Sequence, residues 1–214
     1  ADYRLYPEVR FPAFVEDGAQ AVRWARAHAR QYGGDPQKLF VMGHSAGAHI
    51  AALLALDPRY LQAVGGERGW LSGMIGLAGA YDFLPLTDDD LKDIFGPPER
   101  YPLSQPINHV DGHNPPLLLL HGRTDTTVRL KNTVNLAARI RARGGPVQTV
   151  IYPVMGHVRM IASLAPPLRQ VSRVLDDIAG FIDAQAKLNA GLGSAFKPPL
   201  YSIGSAHPAP TDKE

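Results

Sequence analysis

Short apolar runs alternate along the chain with stretches whose apolar residues return every three or four positions. The runs fall at 38–43 (Lys-Leu-Phe-Val-Met-Gly), 73–80, 117–120 (four leucines) and 147–152. Each is too short for a helix and rich in aliphatic residues, so each reads as a buried strand. Residues 3–6 read as the end of a further short strand. Helical spacing covers 14–32, where Val15, Ala19, Val22, Ala25 and Ala29 share a face, and Gly33-Gly34-Asp35-Pro36 stops it. Residues 46–56 are Ala- and Leu-rich, with high helix propensity. In 132–143 the apolar side is Val134, Leu136, Ala137 and Ile140. A last helical pattern, broken near Pro166-Pro167, runs to about Lys187. Strands alternating with helices predict βαβ units and a mostly parallel sheet covered on both faces. The expectation is one α/β domain over 1–187 and an irregular Gly/Pro/Ser-rich tail over 188–214.

Composition narrows the function classes. The 22 Lys+Arg against 20 Asp+Glu leave a formal charge of only +2, which argues against a nucleic-acid partner. No apolar run reaches 18 residues, so no membrane-spanning helix is expected. The chain has no cysteine, which excludes disulfides, thiolate nucleophiles and Cys-held metals. Thr87-Asp88-Asp89-Asp90 reads as a helix start, with Thr87 as cap and acids suiting the dipole, rather than as a metal site.

The chemistry concentrates where the first run ends. Gly43-His44-Ser45-Ala46-Gly47 is a G-x-S-x-G pattern between an expected strand and an expected helix. A sharp turn there lifts the Ser45 hydroxyl off the sheet edge. Gly43 and Gly47 remove side chains that would collide with neighbouring elements. The Ala46 amide, at the helix N-terminus, points to where an oxyanion would form. A serine hydroxyl needs a base, and the order in this kind of fold is Ser, acid, His. Asp125 follows the four-leucine strand and His157 follows the last strand. Asp82 is the rival acid and His121 the rival base. His44, Tyr81 and Val128 are the expected substrate contacts.

Taken together, Gly-His-Ser-Ala-Gly-Ala-His at 43–49, Asp-Tyr-Arg-Leu at 2–5, His-Gly-Arg-Thr-Asp at 121–125 and Gly-His at 156–157 resemble one branch of the α/β-hydrolases. That branch holds hormone-sensitive-lipase-like carboxylesterases and kynurenine-formamidase-like hydrolases. The resemblance implies Ser45 as nucleophile, Asp125 as acid and His157 as base, a small-molecule ester substrate, and neither metal nor organic cofactor. An arylformamidase or amidase with the same triad, and a catalytically weak relic, are the alternatives. The family's His-Gly-Gly loop occurs nowhere in the sequence. Residues 2–5 match the strand after that loop, so the family's preceding mid-sheet strand has no counterpart here. The resulting expectation is a homo-oligomer, with the gap covered by residues 3–6, by the tail or by a second subunit.

Overall fold

The computed structural model describes residues 1–195. Its centre is a four-stranded, wholly parallel sheet in the order β1 (Leu39–His44), β2 (Leu71–Leu77), β3 (Leu117–Gly122), β4 (Val147–Tyr152). In register, Gly43 sits beside Gly76, Leu77 beside Leu120, and His121 beside Ile151. The helices are α1 (Ala13–His28), α2 (Ala46–Leu56), α3 (Pro58–Ala63), α4 (Asp89–Phe95), α5 (Lys131–Ala142), α6 (His157–Ala162) and α7 (Val174–Ala195).

The unbroken apolar character of β2 and β3 follows from what covers them. Alternate strand residues point to opposite faces. Met74, Leu117 and Leu119 join the core under α1, α2 and α5. Ile75, Leu77, Leu118 and Leu120 pack on the other face against Val174, Ile178 and Phe181 of α7. Helix α2 is buried from Ala48 to its end, because α1 and α3 pack on its outer side while β1 and β2 lie beneath it. Burying apolar surface on this scale, at roughly 25 cal/mol per Å², ties both ends of α2 to the sheet.

Several local expectations change. Residues 3–6 are irregular rather than a strand, because Asp17 of α1 accepts hydrogen bonds from the Arg4 amide (2.9 Å) and guanidinium (2.7 Å) and draws the segment toward the helix. Helix α4 is capped by Asp88, whose carboxylate accepts from the Leu91 amide at 3.0 Å, not by Thr87. On α5, Val134 is 50% exposed and the packing face is Thr133, Leu136, Ala137 and Ile140. Residues 188–195, expected to open the tail, belong to α7; 196–214 lie outside the described residues.

Strand β1 is an edge of the sheet, and Met42 on it is 50% exposed. A groove of about 330 Å³ runs beside it, walled by Tyr3, Gly18, Ala25, Val41, Gly47 and Ala51. The N-terminal segment thus borders the open edge without pairing to it.

His49 of α2 is 3% exposed inside an aromatic group of Phe14, Phe83 and Phe95, with ring centroids 5.6–6.4 Å away. Burial pushes its pKa down to about 4. The unfolded chain binds a proton there near 6.5. Between those values the unfolded state is protonated and the folded state is not, so stability falls as pH drops through that window.

Two outcomes are expected. In urea unfolding between pH 7 and 4, the wild type should lose on the order of 3 kcal/mol more than His49→Phe; equal pH slopes would contradict the burial argument. Because β1 has no strand beside it on that side among the described residues, and an open apolar edge invites pairing, the chain should self-associate in sedimentation velocity, and Met42→Lys should weaken that association. A monomer at every concentration would count against it.

Candidate active site

All the chemistry-bearing residues lie past the carboxyl ends of the parallel strands, where ligand sites of such sheets form. Strand β1 ends at His44 and α2 begins at Ala46, so Ser45 alone makes the turn. Its φ of 53° and ψ of −117° lie outside the ordinary regions for an L-residue. Its amide donates to the Leu77 carbonyl at 2.9 Å, and its carbonyl accepts from the His49 amide at 3.1 Å. A Cβ on Gly43 would overlap the backbone of Gly47 and Ala48, so only glycine fits there. Gly47 differs from expectation. A Cβ there would meet nothing within 4 Å, because Gly47 faces the groove along the open edge of β1.

The Ser45 hydroxyl lies 2.9 Å from Nε2 of His157, and Nδ1 of His157 lies 2.8 Å from Oδ2 of Asp125. A carboxylate only accepts, so Nδ1 carries the hydrogen and Nε2 presents its lone pair to the serine O–H. The other oxygen of Asp125 accepts from the amides of Thr127 and Val128, both at 2.9 Å. Asp125 is 7% exposed. Buried in this way, a carboxylate needs such hydrogen bonds to offset its lost hydration.

The rivals have other partners. The carboxylate of Asp82 accepts from Asn135 at 2.6 Å. His121 is fully buried, with Nε2 donating to the Val128 carbonyl (2.9 Å) and Nδ1 accepting from the Thr133 hydroxyl (2.8 Å). It pins the loop whose amides hold Asp125. His44 donates from Nε2 to the backbone carbonyl of His157 at 3.1 Å and so clips the His157 loop to the serine turn. Burial lowers the pKa of both rings, which keeps them neutral beside His157.

A cavity of about 620 Å³ opens beside Ser45 and Ala46. Of the expected substrate contacts, Val128 is on its wall. His44 and Tyr81 are not. His44 is turned to His157, and Tyr81 is 0% exposed, its hydroxyl buried against Gly76 and Gly79. Its amide and that of Asp82 donate to the Asn132 side-chain oxygen at 2.8 and 2.7 Å, while Phe83 N–H donates to Gln105 at 2.8 Å. These bonds hold the loop after β2 so that Phe83 and Leu84 line the cavity with Phe95 and His49. Sequence reasoning missed these four. His49 had a signal, being one helical turn past Ser45 and so on its side of α2. Phe83 and Leu84 lie in an irregular loop with no period to place them.

Comparison with known proteins agrees with this architecture. The probable isoprenylcysteine alpha-carbonyl methylesterase ICMEL1 of Arabidopsis thaliana is 24% identical over 233 aligned positions, covering 96% of this chain and 48% of its own. Esterase LipC of Mycobacterium tuberculosis is 30% identical over 158 positions, covering 66% of this chain and 39% of its own. The chain thus spans about half the length, or less, of these relatives. Among solved structures, a truncated carbohydrate esterase from gut microbiota superposes with a TM-score of 0.74 at 21% identity, over 87% of this chain and 73% of its own. The Thermogutta terrifontis esterase Est2 does so at 0.67 and 24%, over 85% and 68%. Both likenesses concern the α/β-hydrolase fold. The model of the BD-FAE family matches residues 1–140, and with this fold and serine turn the chain belongs to the BD-FAE family of α/β-hydrolases.

Proposed function

We propose that the chain hydrolyses small carboxylic esters through an acyl-enzyme on Ser45. The observation that carries this reading is the unbroken relay from Asp125 through His157 to the Ser45 hydroxyl, at 2.8 and 2.9 Å. The relatives' names, esterase and methylesterase, support ester over amide as the bond cleaved.

In the first half-reaction Ser45 Oγ attacks the acyl carbon while its proton passes to Nε2 of His157. Asp125 keeps the ring in the required tautomer and stabilises the imidazolium that forms. His157 then returns the proton to the leaving alkoxide, and the alcohol departs. In the second half, water attacks the acyl carbon, His157 takes its proton, and Ser45 leaves with that proton as the acid is released. The charge on the tetrahedral oxygen falls to the Ala46 amide at the start of α2. One amide is one donor, and a donor of this kind is worth roughly 10²–10³ in kcat. Activated short-chain esters are therefore the expected best substrates, their acyl group lying in the cavity between Phe83, Leu84 and Val128.

With p-nitrophenyl butanoate, Ser45→Ala and Asp125→Asn should each lower kcat by on the order of 10⁴-fold. Asp82→Asn, whose carboxylate meets Asn135 rather than His157 among the described residues, should change it less than about threefold, within the range of a surface substitution. Reversal of the two aspartate effects would show that the acid is misassigned. On the acid side, kcat/KM should fall about tenfold per pH unit once His157 is protonated, because an imidazolium cannot accept the serine proton. A flat acid limb would remove His157 as base.

A further inference from the structure

The cavity beside Ser45 is apolar on one side, where Phe83, Leu84, Leu91 and Phe95 line it. His49 interrupts that wall. It sits one turn into α2, its amide bonded to the Ser45 carbonyl at 3.1 Å. The two α-carbons are thus about 6 Å apart along a regular helix. Nε2 of His49 lies 2.7 Å from the Ser104 carbonyl. A carbonyl can only accept, so Nε2 carries the hydrogen and, in the neutral ring, Nδ1 is left as a bare acceptor. Burial among the aromatic rings, which pushes the pKa down to about 4, preserves that form at neutral pH.

Nδ1 has no hydrogen-bond partner among the described residues. A sealed acceptor without a partner is costly. The sealed, unpartnered side-chain atoms among the described residues are the Tyr81 hydroxyl, the Asn114 oxygen and the Ser172 hydroxyl. His49 Nδ1 is not one of them, and the cavity that His49 lines is the one shared with Ser45.

We propose that Nδ1 of His49 accepts a hydrogen bond from the acyl group of the substrate, and that the cavity selects acyl groups carrying a hydroxyl on the third or fourth carbon. The separation from Ser45 sets that position. From an acyl carbon bonded to Ser45 Oγ, two or three C–C bonds and then the C–O bond carry a hydroxyl to the ring. The apolar residues take the carbon chain, and the single acceptor takes the O–H. A purely aliphatic acyl group fits the same space but leaves the nitrogen unpaired. This inference rests on Ser45 being the acylated residue.

The test compares three p-nitrophenyl esters on the wild-type enzyme: 3-hydroxybutanoate, its near-isostere 3-methylbutanoate, and 3-methoxybutanoate, which accepts but cannot donate. Rates are divided by each ester's alkaline hydrolysis rate to remove inductive differences. The hydroxy ester should exceed both others in kcat/KM by about 3–10-fold, the net worth of one neutral hydrogen bond. In His49→Phe the preference should pass to the methyl ester. If that variant fails to fold, the wild-type series still decides. Turnover of all three esters with no preference for the hydroxy ester overturns the assignment of His49 and leaves the esterase reading intact. Absence of turnover on all three overturns both.

Discussion

The active-site geometry depends on one turn of backbone. Between His44 and Ala46 the chain passes from strand to helix with Ser45 alone at the corner, at φ 53°. A non-glycine residue held there costs on the order of 1–3 kcal/mol and persists only where its surroundings over-determine it. Three features do so here. Gly43 lets the backbone of Gly47 and Ala48 come closer than any side chain would permit. The Ser45 amide is bonded to β2 through Leu77. Helix α2 is buried from Ala48 to Leu56 and so cannot rotate to relieve the turn. The strain holds a hydroxyl above the sheet, opening it to His157 at the start of α6 on one side and a cavity on the other.

Four histidines near this turn show how surroundings divide labour among identical side chains. His157 sits between a buried carboxylate and a hydroxyl, so its tautomer suits proton transfer. His121 and His44 each donate to a backbone carbonyl, one holding the Asp125 loop and the other the His157 loop. Burial lowers the pKa of both, which removes positive charge that would oppose an imidazolium on His157. His49 is set deeper among aromatic rings. What separates the four is which carbonyl, carboxylate or hydroxyl each ring nitrogen meets.

Much of this was legible in the sequence where local chemistry and tertiary fold agree. The leucine run at 117–120 and the Ala/Leu stretch at 46–56 could only be interior elements, and they are. The G-x-S-x-G pattern located the turn because glycine at 43 answers a steric demand internal to the segment. Asp125 and His157 followed from strand order, since parallel strands bring their carboxyl ends to one edge. What was not legible depended on partners distant in sequence. Tyr81 was expected in the substrate site, but Asn132, 51 residues away, fixes its backbone and its ring fills the space over Gly76 and Gly79. Residues 3–6 carry strand-like composition, yet Arg4 finds Asp17 instead of β1. The space at Gly47 became visible only once β1 stood as a sheet edge.

The central claim is that this turn and relay activate a single serine. Its most direct measurement is covalent labelling with a p-nitrophenyl organophosphonate, followed by intact-mass and peptide mapping. The reagent needs an activated hydroxyl but no deacylation step, so it reports the nucleophile independently of turnover. The account predicts one adduct per chain, on Ser45, and none in the His157→Ala protein over the same time. An adduct on another residue, or equal labelling of Ser45 without His157, would contradict it.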